Sequence, residues 1–238
     1  LHPRPEYRPL TVRPPHTRFP DESFAREVWN YSAKSTTFGR YFHRNGNGNR
    51  TKNRKNDMKK TVTLNDKTFE VMIPAHEIDR AVAAVAERLN ADYGDKERPI
   101  FVGVLNGAFM FLSDLIKKID FTCEISFVKL ASYEGTCSTG NVECLLGLNN
   151  DIAGRHVIIV EDIVDTGRSI AHMYADLMRR NPASVEVCTL FFKPNSYREP
   201  LPIRYRALEI GNEFIVGYGL DYDQLGRNLK DIYVVTND

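Results

Sequence analysis

HVIIVEDIVDTGRSI, residues 156–170, is the stretch from which the rest of the chain can be read. Val157 to Val160 form a continuous β-branched run, the pattern of a strand buried on both faces. Glu161 and Asp162 end that run, Ile163 and Val164 follow, and a third acid, Asp165, precedes Thr166, Gly167, Arg168 and Ser169. The chain then turns helical. Ile170, Met173, Tyr174, Leu177 and Met178 recur at i, i+3, i+4, i+7 and i+8, one apolar stripe of an amphipathic helix. A buried strand, a hydroxyl-rich turn with one glycine and a helix N-terminus together make an anion site. The free N–H groups of the first helical turn and the positive end of the helix dipole both face the turn. The acids suit a ligand that also carries hydroxyls or a metal ion. A sugar phosphate satisfies both halves.

A plainer reading of the same residues is helix capping by Asp165 or Thr166, common where a strand turns into a helix. Three carboxylates between positions 161 and 165, with no lysine among them, argue for more. Like charges that close are costly unless a metal or ligand organises them.

Working outward, Phe69–Ile73 alternates as a strand that Pro74 closes. Ile78, Val82, Val85, Ala86 and Leu89 form a helical stripe ending near Gly94. Ile100–Leu105 reads as a second buried strand. Asn106-Gly107 follows it, and then a helix carrying Phe109, Leu112, Leu115 and Ile116. Cys123–Leu130 and Glu143–Leu148 read as strands on either side of a polar loop, Ser132–Gly140. That loop is longer than the two to five residues usual in a hairpin. Val185–Phe192, Ala207–Ile210, Phe214–Val216 and Ile232–Val235 complete the strands. Strands alternating with helices predict an α/β protein, a mostly parallel twisted sheet flanked by helices. Ligands of such sheets bind beyond the strand C-termini, where the three acids fall.

The chain has 238 residues, 42% hydrophobic and 26% charged, enough to bury one sizeable core. Its net charge of +1 hides an asymmetry: residues 1–57 carry 12 Lys and Arg against 5 Asp and Glu, the remainder 20 against 26. NGNGNRTKNRKN, residues 45–56, is low-complexity and basic, a disorder composition. The first methionine is Met58, and MKKTVTLNDKTF reads as an ordinary start. Residues 1–57 are therefore expected to be a disordered basic extension outside the native protein, and residues 58–238 the functional domain. Cys123, Cys137, Cys144 and Cys188 show no CxxC spacing, so reduced thiols in a cytoplasmic protein are expected. No apolar stretch is long enough to span a membrane.

Two acids, two apolar residues, Asp-Thr-Gly, a variable residue and a hydroxyl residue, at 161–169, closely resemble the phosphoribosyl-diphosphate (PRPP) binding motif of the type I phosphoribosyltransferases. The chain from about Lys60 to Val235 resembles the hypoxanthine-guanine branch of that family. The resemblance implies the fold above with a small hood built from N- and C-terminal segments. It implies that residues 165–169 hold the 5′-phosphate, and that Glu161 and Asp162 hold ribose hydroxyls and metal. Asp165 would face N7 of the base and handle its proton. Leu105, Asn106 and Gly107 match the pyrophosphate loop, with a non-proline cis bond at Leu105–Asn106, and Arg227 matches a pyrophosphate-contacting arginine. Many family members have lysine where this chain has Asn106, which leaves contact there to backbone groups. Ser132-Tyr133 resembles the mobile catalytic lid. Lys193 would donate to the purine 6-oxo group, Phe214 would stack on the base, the Ile215 backbone would read its edge, and Asp221 would sit at a second magnesium.

The activity so implied is Mg2+-dependent transfer of 5-phosphoribosyl from PRPP to hypoxanthine or guanine, in purine salvage, by a homodimer or homotetramer. Two other readings stay open at this point. Another PRPP-dependent enzyme, for adenine, orotate or xanthine, would share the central motif. An RNA-binding regulator of the same fold could recruit the basic arm, but the acidic balance after residue 57 argues against a large phosphate-binding face. No nucleic acid or membrane partner is expected.

Overall fold

The computed structural model describes residues 60–130, 144–146, 148 and 151–236. The basic extension 1–57 and the lid pair Ser132-Tyr133 lie outside the described residues. Among the described residues the larger of two sheets has six strands in the order β5-β4-β3-β6-β7-β8. These are β3 (Ile100–Leu105), β4 (Glu124–Leu130), β5 (Cys144–Leu146), β6 (His156–Val164), β7 (Ser184–Phe192) and β8 (Tyr205–Glu209). All neighbours pair parallel except the edge strand β5, which runs antiparallel to β4.

Among the described residues three helices pack on this sheet: α1 (Ala75–Tyr93), α2 (Phe109–Ile116) and α3 (Arg168–Met178). The α1 stripe is buried as its spacing predicts, through Ile78, Val82, Val85, Ala86 and Leu89. Its N-cap residue, Pro74, offers no side-chain bond. The carboxylate of Asp231, remote in sequence, accepts instead from the Ala75 N–H at 2.9 Å and from Lys60. Two stripe positions differ from expectation. Phe109 and Met178, the first residue of α2 and the last of α3, are exposed, whereas Phe111 is fully buried beneath α2. The two sheet faces carry separate cores, one against α1 and α2, the other against α3. This is why Val157 and Ile159 fall in one cluster and Ile158 and Val160 in the other.

A smaller antiparallel sheet, in the order β1-β2-β10-β9, forms the hood. It contains β1 (Thr61–Leu64), β2 (Lys67–Ile73), β9 (Ile215–Val216) and β10 (Ile232–Val235). The first hairpin, β1–β2, turns at Asn65-Asp66, with Asn65 at φ +49. The sequence pattern did not reveal β1, because a four-residue edge strand with half its side chains exposed has little apolar signal. Among the described residues no helix is long and apolar enough to cross a membrane.

Candidate active site

Strand β6 runs four residues further than its apolar run suggests. Glu161 and Asp162 do not end the strand but ride on it, since pairing with β7 continues through Glu161↔Thr189 and Ile163↔Phe191 to Val164↔Phe192. Pairing with β3 stops earlier, at Gly103↔Val160. The acids therefore project where β6 outruns its neighbour on one side. The constant β6–β7 register also explains the next contact. Asp165 and Lys193 are each one residue beyond the last pair, and the Lys193 N–H donates to Val164 O at 3.0 Å. Lys193 is only 8% exposed, and its ammonium lies 3.3 Å from the Asp165 carboxylate.

The turn after β6 is open. Thr166, Arg168 and Ser169 are exposed, and α3 begins after Gly167, at φ +88, with no side-chain cap. Its first amides are thus available to an anion. The loop after β7 roofs the turn: Arg198 N–H donates to Thr166 O, and a Cβ on Gly167 would lie 2.3 Å from the Tyr197 ring. Tyr197 itself donates to Leu201 O and meets the Phe192 ring edge-on at 5.2 Å.

The turn after β3 comes to the same place. The Leu105–Asn106 peptide is cis. Gly107 packs against the Asp162 carboxylate so closely that a Cβ there would lie 1.6 Å from Oδ2. From the other side, a Cβ on Gly219 would lie 2.1 Å from Gly107 O. The Gly219 carbonyl accepts from Arg227 Nη1 at 2.7 Å, and Arg227 Nη2 pairs with Asp221 at 2.6 Å. Asp221 also accepts from the Gln224 N–H. Phe214 is exposed on the hood, braced by Phe69 and met edge-on by Tyr222, while Ile215 is buried behind it.

The structure thus brings Asp162, Leu105–Gly107, Asp221 and Arg227 into one continuous chain of contacts, and Asp165 and Lys193 into another. Burial, reinforced by Asp162 alongside, pushes the Glu161 carboxyl well above the usual glutamate range. Such a pair is relieved by a cation. Among the described residues no three acidic, histidine or cysteine side chains gather into a metal cage. Glu161 and Asp162, two adjacent carboxylates, are donors of the kind Mg2+ takes along with waters and substrate phosphates. Local sequence carried no signal for Tyr197 over Gly167 or for the remote cap Asp231, since each is joined to its partner only by folding.

The phosphoribosyl transferase domain family matches residues 73–223. The hypoxanthine phosphoribosyltransferase of Escherichia coli K12 is 38% identical over 167 residues, 69% of this chain and 94% of that protein. The hypoxanthine-guanine phosphoribosyltransferase of Streptococcus pneumoniae R6 is 38% identical over 184 residues, covering 77% and 96%. A solved Trypanosoma cruzi hypoxanthine phosphoribosyltransferase superposes with TM-score 0.67 at 32% identity, covering 74% of this chain and 95% of that one. This chain belongs to the phosphoribosyltransferase family and is a transferase. Within the family, its relatives by sequence and by structure are the hypoxanthine and hypoxanthine-guanine phosphoribosyltransferases.

Proposed function

We propose that this enzyme transfers the 5-phosphoribosyl group of PRPP to N9 of hypoxanthine or guanine, giving the nucleoside 5′-monophosphate and pyrophosphate, a purine-salvage reaction. The observation that carries the reading is Lys193 beside Asp165 at the rim of an uncapped helix N-terminus. Chemistry occurs at C1 of the ribose through an oxocarbenium-like transition state, so the protein's share is positioning and electrostatics. Backbone amides from Asp165 to Ser169, with the Thr166 and Ser169 hydroxyls, hold the 5′-phosphate. Arg227 and the Leu105–Gly107 turn hold the pyrophosphate end. Phe214 offers an exposed ring face for the purine to stack on, and the Ile215 backbone reads the purine edge.

Lys193 donates to the 6-oxo group and thereby rejects adenine, whose amino group offers no acceptor there. The incoming base takes Lys193 from Asp165, which frees that carboxylate to handle the proton at N7. Mg2+, held by Glu161 and Asp162, with a second ion at Asp221, would neutralise charge on the pyrophosphate leaving group. Ser132 and Tyr133 belong to the lid that excludes water, and the enzyme works as a cytoplasmic homodimer or homotetramer. The test is product formation from PRPP with hypoxanthine, guanine, xanthine and adenine in turn. Turnover of the oxo-purines and not of adenine is expected; preferred use of adenine would overturn the reading.

A further inference from the structure

Gly217, Tyr218 and Gly219 stand at φ +104, +48 and +103, three consecutive residues in the left-handed region. Glycine adopts it freely, but for a tyrosine it is an outlier that surrounding contacts must hold in place. Those contacts are specific. The Tyr218 N–H donates to Leu229 O at 2.7 Å, and the Gly219 N–H donates to Arg227 O at 3.0 Å. The Tyr218 ring is buried, 6% exposed, and its hydroxyl donates to Asp114 Oδ2 at 2.5 Å. Asp114 lies in the last turn of α2, and Gly219 presses on the carbonyl of Gly107 just ahead of its first turn. Two consecutive hood residues therefore grip both ends of one short helix.

Burial by itself would raise the Asp114 carboxyl, but bonds from Lys117 and Tyr218 outweigh it and hold it below its usual value. It stays an ionised acceptor, and hydrogen bonds to ionised groups are among the stronger ones. The side of α2 that Gly219 touches carries the cis turn and the Asp162 contact; the far side of Gly219 carries Arg227.

We propose that Tyr218 and Asp114 form a positioning strut that seats Gly219 on Gly107 and so aligns Arg227 and the Leu105–Gly107 turn for the diphosphate end of PRPP. The proposal rests on the reading of those residues as the pyrophosphate end. Neither strut residue touches substrate; both act through Gly219. Without the hydroxyl bond the left-handed Tyr218 loses one of its restraints, and the hood segment can lift from the turn.

Tyr218→Phe in the full chain keeps the buried ring and removes only the hydroxyl. It should raise KM for PRPP, and for pyrophosphate in the reverse reaction, about tenfold. Both kcat and KM for hypoxanthine should stay within about twofold. Asp114→Ala should act in the same way, and Asp114→Asn, which keeps an acceptor oxygen, should restore most of the loss. The Tyr218→Phe/Asp114→Ala double variant should be no worse than Asp114→Ala alone. If Tyr218→Phe folds poorly, the Asp114→Ala and Asp114→Asn pair decides by itself. A lower Tm with unchanged KM for PRPP, or equal losses in every kinetic parameter, would overturn the strut. Arg227→Ala separates the two levels. If it raises KM for PRPP and the strut variants do not, only the strut falls. If none of them moves it, the pyrophosphate reading falls too.

Discussion

Two strand–turn–helix corners meet at the site and are built on opposite principles. The β6–α3 corner has exposed polar residues, a single left-handed glycine and a helix whose first amides no side chain caps. The β3–α2 corner is crowded. Its Gly107 is buried, with no room for a methyl group against the Asp162 carboxylate, and Gly219 has none against the Gly107 carbonyl. The first corner is kept open for a ligand, and the second is closed by protein. The open corner adds the Asp165 side chain to its free amides, so substitution of that side chain should act on catalysis. The closed corner carries its chemistry in backbone placement, so substitutions there should act on geometry and folding.

Asp165→Asn gives the widest test of that contrast. The amide keeps the shape and a hydrogen-bond acceptor but cannot take a proton, and general acid–base catalysis contributes roughly 10²–10⁴-fold. A fall of that order in kcat with nearly unchanged KM for PRPP is expected. Weakened PRPP binding with intact single-turnover chemistry would instead make Asp165 a metal or ribose ligand. Lys193→Ala comes next. Losing a charge-assisted bond costs about 1.5–3 kcal/mol, to be read as weaker binding of hypoxanthine and guanine with PRPP binding kept. Purine kinetics equal to those of the parent would remove Lys193 from base selection.

Gly107→Ala probes the closed corner. The new Cβ would lie 1.6 Å from Oδ2 of a carboxylate whose Oδ1 is held by the Ile163 N–H, so Asp162 must be displaced and that bond broken or strained. Overpacking of this kind costs about 1–3 kcal/mol, visible as a lower Tm together with weaker PRPP binding. Gly167→Ala also adds strain, at φ +88, but its Cβ would lie 2.3 Å from the edge of the half-buried Tyr197 ring, against 1.6 Å to a carboxylate oxygen at Gly107. Its denaturation midpoint should fall less than that of Gly107→Ala. The reverse order would show that the open corner is the tighter one.

The smallest effect concerns Glu161. Burial and Asp162 raise its carboxyl above the ordinary 4.5. It therefore binds its proton more tightly in the folded chain than in the unfolded one. Its contribution to stability is complete below 4.5 and is lost as pH rises through the raised value. Glu161→Gln abolishes that loss. The ligand-free variant should therefore melt above the parent at pH 8. The gap should close towards pH 4.5, where the parent glutamate is already neutral when folded. A gap independent of pH would place the strain elsewhere than in the carboxylate charge.

What could be read in the chain itself was whatever had a local cause. The β-branched run of β6, the stripes of α1 and α3, and the acid-rich turn are each written in neighbouring residues, because strand burial, helix periodicity and anion binding at a helix N-terminus act over a few positions. Contacts made through register or packing have no local cause of that kind. Lys193 falls beside Asp165 because the β6–β7 ladder keeps one offset along its length, and no periodicity announces that offset. Asp231 caps a helix that begins at Ala75, Tyr197 roofs Gly167, and Tyr218 reaches Asp114, each across a separation at which local propensity is silent. The sequence by itself determined the class of fold and the chemistry available at the end of β6. Only the tertiary structure decided which backbone meets which carboxylate, because close approach at Gly107 and Gly219 depends on where whole elements pack and not on the residues beside them.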